Sequence, residues 1–227
     1  MAWGPVTARV CQGCAAKREE QRAALERLAR EKAVEQRYRD LVRLANVPPR
    51  WRAVTFDTLD PNIQPVAQKI ARAYAHGFSK KSPSLVLYSP GNGTGKTTLG
   101  YCIVNLLLHE LRVPVVARKA RDIMLQLRNT FTDRHQSEAD VLDKVSYADL
   151  LFLDDVGVDP ASEWIFSTYW TLLDRRFDWQ LPIVITTNKP LEGRGEVLAK
   201  RIGDPAFSRL LGLCGGNVID MSGADLR

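Results

Sequence analysis

The chain has 227 residues, a hydrophobic fraction of 45% and 32 Lys and Arg against 26 Asp and Glu, enough for one substantial α/β domain with an appendage. No apolar run is long enough to span a bilayer, and the opening MAWGPVTARVCQGC lacks the charged-then-apolar layout of a secretory leader, so a cytoplasmic protein is expected. The net charge of +6 admits a nucleic-acid partner without requiring one, and the four cysteines, Cys11, Cys14, Cys102 and Cys214, do not form a secreted disulfide framework.

Cys11-Gln-Gly-Cys14 has metal-ligand spacing but supplies only half of a tetrahedral Zn²⁺ site. A zinc shared between chains, the remnant of a larger zinc module, and two plain thiols are the open readings. From Ala15 to Ala45 the sequence is rich in Arg, Glu, Ala and Leu with no Gly or Pro, which predicts a long helix. Val34, Tyr38, Leu41 and Ala45 share one face, and the rest is polar enough to project into solvent or to meet a partner. Asn46-Val47-Pro48-Pro49 ends it. Residues 1–50 are therefore expected to be a helical extension that projects into solvent or docks a partner, and 51–227 the main domain. Trp51–Leu59 reads as an extended linker. Asp60-Pro61 then opens a helix with an expected buried stripe of Val66, Ile70 and Tyr74, ended at Gly77.

Leu85–Tyr88 is an apolar run of strand length, followed by a glycine-rich turn and an apolar helix from Lys96 to His109. Strand, glycine turn, Lys-Thr and helix make a P-loop. Glycines let backbone N–H groups curl around a phosphate, and the helix presents its positive end to that charge. The candidate nucleotide-binding residues are Gly91, Asn92, Gly93, Thr94, Gly95, Lys96, Thr97 and Thr98, with Lys96 reaching the β- and γ-phosphates and the Thr97 hydroxyl binding Mg²⁺. Pro90 stands where the pattern has its first glycine, so the turn loses one N–H.

Val113–Ala117 reads as a second strand and Ala120–Leu127 as an amphipathic helix. Arg128, Phe131, Arg134 and His135 then place basic residues around an aromatic, which suits either single-stranded nucleic acid or a plain surface loop. Leu150–Leu153 is a buried strand ending in Asp154 and Asp155. Two acids at a strand end are a weak sign alone. Downstream of a P-loop they fit a carboxylate in the Mg²⁺ shell and one that activates water. Trp164–Phe177 is a helix with core aromatics, Pro182–Thr187 a β-branched strand ending at Asn188, and Asn217–Met221 a last strand. Asn188 suits either a γ-phosphate contact or an ordinary turn.

Taken together, SPGNGTGKTTL, DLLFLDDVG, LDRRF, LPIVITTN, RIGDPAFSRLLGLC and SGADLR resemble the AAA+ ATPases of the DnaC/IstB group, most of all the DnaC-like helicase loaders, over about Trp51 to Arg227. The resemblance implies a three-layer α/β P-loop fold with a mainly parallel five-stranded sheet behind a helical extension. It implies ATP and Mg²⁺ as ligands, with Asp154 the Walker B aspartate, Asp155 the catalytic carboxylate and Asn188 the sensor 1 residue. It makes Arg209 the arginine finger, with Arg201 as competitor, and Arg227 a sensor 2 candidate. Asp155 is shorter than the glutamate common at its position, which implies slow hydrolysis. The implied activity is ATP-driven delivery of a DnaB-type replicative ring helicase onto single-stranded DNA, by a homo-oligomer or an assembly templated on the helicase. An IstB-like transposition helper on duplex DNA, a small-molecule kinase and a nucleotide-gated binding module are the alternatives. Duplex-dependent assembly, phosphate transfer to an acceptor other than water, and turnover indifferent to Asp155→Asn would respectively mark them.

Overall fold

Five short strands carry most of the apolar runs: β1 (Leu85–Tyr88), β2 (Val115–Lys119), β3 (Leu150–Asp154), β4 (Ile183–Thr187) and β5 (Val218–Asp220). In the computed structural model, which describes residues 12–131 and 137–223 with side chains from residue 17 onward, they pair in the order β2-β3-β4-β1-β5. Every pairing is parallel, with Val115 beside Leu150, Leu151 beside Ile183, Leu85 beside Val184 and Val86 beside Val218. Parallel strands need crossovers, and the crossover helices cover both faces, which is why the strands are apolar on both sides. Leu85, Leu87, Val115, Leu150 and Phe152 enter one core with Ile103 and Leu107. Val86, Val116, Leu151, Leu153 and Ile185 enter the other with Tyr169, Leu172 and Leu210.

The chain divides into two compact units, 1–40 and 41–227. The described part of the first is helix α1 (Gln12–Ala45) as far as Asp40, with the (i, i+4) pairs Arg22–Glu26 and Arg39–Glu35 and with Leu25 and Val34 exposed. The last turn of α1 belongs to the second unit, where Leu41, Ala45 and Val47 are core residues and Arg118 of β2 donates to the Ala45 carbonyl at 3.1 Å. No described helix is long and apolar enough to cross a membrane.

Helix α2 (Pro65–His76) rotates its buried face away from the expected one. Ala67, Ala71 and Ala75 are buried, while Val66 and Ile70 are 70% and 46% exposed. Methyl side chains let α2 lie close to its neighbour α3 (Lys96–Asn105), and larger side chains on that face would hold the helices apart.

The segment read as an extended linker is instead folded into two single 3₁₀ turns, Pro49–Trp51 and Phe56–Thr58. Asn105 of α3 pins it by donating from Nδ2 to the carbonyls of Trp51 and Val54, both at 2.7 Å. The Trp51 ring stacks on Tyr101 at 5.0 Å, with the Arg50 guanidinium on Trp51 and Phe152 edge-on to Tyr101. Beside this stack Gly100 of α3 passes so close to Phe152 that a Cβ there would meet two ring carbons at 2.4 Å.

After Asn105 the helix loosens into a π turn, Leu106–Glu110, where the sequence pattern predicted continuous α-helix. Helices α4 (Ala120–Thr130), α5 (Glu138–Ser146), α6 (Glu163–Asp178), α7 (Leu198–Ile202) and α8 (Asp204–Cys214) complete the unit. Arg176 of α6 is fully buried and donates to four backbone carbonyls, those of Val145, Ser146, Ala148 and Pro182. It thereby satisfies the C-terminal end of α5 and the entry to β4. Burial pushes its pKa down to about 9, so it stays charged at neutral pH. Cys102 and Cys214 are free and buried, and burial pushes both thiols up to about 12.

Candidate nucleotide site

All five strands run the same way, so the tips of β1, β3 and β4 gather at one edge of the sheet, where open parallel sheets take ligands. From β1 the chain turns through Ser89–Gly95 into α3. Gly93 and Gly95 hold φ of 70° and 88°, left-handed values that favour glycine. No side chain caps α3 at Gly95, which leaves its first turn for an anion. The Gly91 N–H is taken by the Ser89 hydroxyl at 3.2 Å. With Pro90 lacking an N–H, phosphate contacts fall to the amides from Asn92 onward.

Lys96 is folded into its own loop, with Nζ donating to the carbonyls of Gly91 at 2.7 Å and Ser89 at 3.3 Å and to Thr94 Oγ1 at 3.4 Å. A phosphate arriving in the turn offers that ammonium a charged acceptor in place of neutral carbonyls.

The loop opens on a cleft of about 580 Å³. Asn92 to Leu99 form one wall, Lys119, Asp154 and Asp155 another, and Trp51, Leu59, Ile63, Gln64 and Met221 are among the remaining lining residues. The space suits a nucleotide-sized ligand with a phosphate tail and a flat apolar-faced base.

Asp154 is buried. Its Oδ1 accepts from the Thr97 hydroxyl at 2.8 Å and the Thr186 hydroxyl at 2.7 Å, while Oδ2 is buried with no partner. Burial first, and then the neighbouring Asp155 charge, holds its carboxyl above the usual range, against the Thr186 and Thr97 bonds and the Lys119 charge. A buried anionic oxygen without a donor, beside a hydroxyl, is a hard-oxygen set that fits Mg²⁺. Thr97 and Asp154 are the residues that would hold the ion, which when bound supplies positive charge to the phosphates and to this carboxylate. Asp155 lines the same cleft with φ of 59°, a strained value for a residue other than glycine.

Asn188 follows β4 directly. Its Oδ1 is buried without a partner, and it is not among the residues lining the cleft. Arg209 lies on α8, with Nε 2.8 Å from Asp174 Oδ1 and its guanidinium over Phe177 and Trp170. Arg201 on α7 donates to the Gly157 carbonyl at 3.0 Å and pairs with Glu196 at 3.4 Å. Neither arginine lines the cleft. Arg128 lies over the Trp164 ring and Phe131 is 64% exposed. Arg134, His135, Arg227, Cys11 and the Cys14 side chain, and with the cysteines the Zn²⁺ expectation, fall outside the described residues. Among the described residues no cluster of three or more His, Cys, Asp or Glu could hold a metal.

Trp51, Lys119 and Thr186 escaped the sequence reading. Lys119 sits at the end of β2, and the only signal in the sequence was its place at the end of an apolar run.

The raised carboxyl gives Asp154 a testable sign. Its folded-state pKa lies above the unfolded value of about 4, so its contribution to stability is present below that pH and lost as pH rises through the folded value. Asp154→Asn is therefore expected to melt above the wild type at pH 7 without nucleotide, with the gap closing toward pH 4, and to lose Mg²⁺-dependent nucleotide binding. Equal melting of the two proteins across that range would refute the buried-charge account.

The sequence profile of the IstB-like ATP binding protein family matches residues 8–224. The replicative helicase loader DnaC of Escherichia coli (strain K12) is 31% identical over 134 residues, 59% of this chain and 54% of that protein. The ATP-binding protein of insertion sequence IS21 from Pseudomonas aeruginosa is 26% identical over 153 residues, 65% of this chain and 55% of that one. The chain thus spans about half the length of the curated relatives it matches. Its fold is similar to the crystal structures of the DnaC helicase loader (TM-score 0.65, 22% identity, 78% of this chain and 100% of that one) and of DnaI (0.62, 20%, 80% and 95%). A parallel sheet of AAA+ type and a family match over nearly the whole sequence agree with the P-loop and the buried carboxylate beside it: the chain belongs to the IstB-like ATP binding proteins, within the DnaC/IstB group of AAA+ ATPases.

Proposed function

We propose that the protein is an ATP-hydrolysing helicase loader that helps deliver a DnaB-type replicative helicase onto single-stranded DNA. The observation that carries the ATPase reading is the cleft where Lys96, Thr97, Asp154 and Asp155 converge while Arg209 stands elsewhere on its own chain. A cleft that gathers its acids while Arg201 and Arg209 lie outside it suits completion by a neighbouring subunit, so hydrolysis is slow in isolated protomers and rises on assembly. The extension expected at residues 1–50 docks the partner and 51–227 is the ATPase domain, with Leu41, Ala45 and Val47 of the extension packed into that domain's core. The similarity to the replicative helicase loader DnaC supports the helicase as a partner.

The test is capture of the replicative helicase of the same source by this protein, with ATP, with ADP and with Lys96→Ala. Nucleotide-dependent capture is expected, and no capture in any state would sink the loader reading. The similarity to the IS21 protein favours one second reading, a transposition helper. Assembly that grows with the length of a DNA duplex would establish it instead.

A further inference from the structure

Thr186 lies on β4, fully buried, one strand away from the two acids. Its hydroxyl accepts the backbone N–H of Asp155 at 2.8 Å and donates to Asp154 Oδ1 at 2.7 Å. A hydroxyl has one proton, and the Asp155 amide can only donate, so that proton is committed to Asp154. Around it the β3 tip is tied to β4 twice more: Val156 N–H donates to the Thr186 carbonyl at 2.8 Å, and the Thr187 hydroxyl donates to the Val156 carbonyl at 2.8 Å. Ser89 N–H in turn donates to the Thr187 carbonyl at 3.2 Å, so the same strand end reaches the P-loop.

From this geometry we infer that Thr186 is a positioning residue that sets both acids of the nucleotide site through one hydroxyl. On Asp154 it occupies Oδ1, together with Thr97, and so leaves Oδ2 as the oxygen for the Mg²⁺ shell. On Asp155 it holds the amide of a residue in a left-handed conformation, which is strained for a residue other than glycine. With Mg²⁺ bound, Thr97 would hold the ion through its hydroxyl oxygen and would no longer be available to Asp154. The Thr186 bond then remains to orient the carboxylate. Outer partners of metal-holding residues act in this way, by fixing the orientation of a ligand that they do not replace.

The inference rests on the nucleotide site proposed above. It is tested on the full chain with a fluorescent ATP analogue, titrated first in EDTA and then against Mg²⁺. Thr186→Val is expected to bind the analogue in EDTA as the wild type does, and to need about 10–100-fold more Mg²⁺ for the half-maximal gain in affinity. Thr186→Ser should restore the wild-type curve. A merely structural role would lower binding equally with and without Mg²⁺. A Thr186→Val curve that superimposes on the wild type overturns the inference while leaving the nucleotide site intact. Absence of analogue binding by the wild type removes the site and the inference with it. Should Thr186→Val not fold, Thr186→Cys keeps the volume and replaces the hydroxyl by a weak donor. A shifted Mg²⁺ curve there supports the role, and an unshifted one refutes it.

Discussion

Arg209→Ala is expected to reduce assembly-dependent ATP turnover by about 10³-fold or more, the scale on which an arginine finger acts. The same change should cost little stability. The Arg209–Asp174 pair is about a third exposed on each side, and pairs of that kind contribute about 1 kcal/mol or less. Stacking on Phe177 and Trp170 adds a comparable amount. A thermal melt therefore separates the two effects, since a folding defect moves both readouts and a lost finger moves only turnover. Mixing gives the sharper measurement. Arg209→Ala keeps its P-loop and Lys96→Ala keeps its finger, so each is inactive alone. The mixture should recover turnover, because the finger of one chain completes the cleft of another. A mixture as inactive as its components would show that Arg209 does not act between subunits.

A second large effect is expected far from the cleft. Arg176→Leu should lower stability by about 3–5 kcal/mol, the range for breaking a buried charged arrangement from one side. For a chain of this size that is a fall in Tm of roughly 6–20 °C. Four carbonyls, at the end of α5, before β3 and at the entry to β4, lose their donor together, and leucine offers none in return. Arg175→Leu is the built-in control: the adjacent residue has the same charge but pairs with Asp143 near the surface at 2.8 Å. It should change stability by no more than about 1 kcal/mol. If the two variants melt together, the carbonyl cage contributes nothing beyond a surface ion pair.

The nucleotide site was legible in the sequence wherever chemistry demands a residue type at a fixed spacing. A phosphate turn must contain glycines, a lysine and a hydroxyl in order, so Gly93 to Thr97 announce themselves. Strands covered on both faces must be apolar throughout, so Leu85–Tyr88 and Leu150–Leu153 do too. Pairings between distant positions stayed hidden. Trp51 looks like part of a linker until Tyr101 and Asn105 are brought beneath it, and nothing local to residues 51–59 reveals that. The face of α2 was misjudged because hydropathy ranks Val66 and Ile70 above alanine, whereas close helix packing selects the smaller side chain. Thr186 passed as one more β-branched strand residue, which fits β4 perfectly well. Its hydroxyl acquires a task only once β3 lies alongside.

The contact between Gly100 and Phe152 bears on inheritance. A ring at 152 fills the space that any side chain at 100 would need, so neither position can drift alone. Among descendants of this chain the two should change as a pair, a bulkier residue on α3 arriving only with a smaller one on β3. Because Phe152 stands two residues before Asp154 and touches Tyr101 under Trp51, such an exchange would reach the cleft from behind and retune it without altering any residue that lines it.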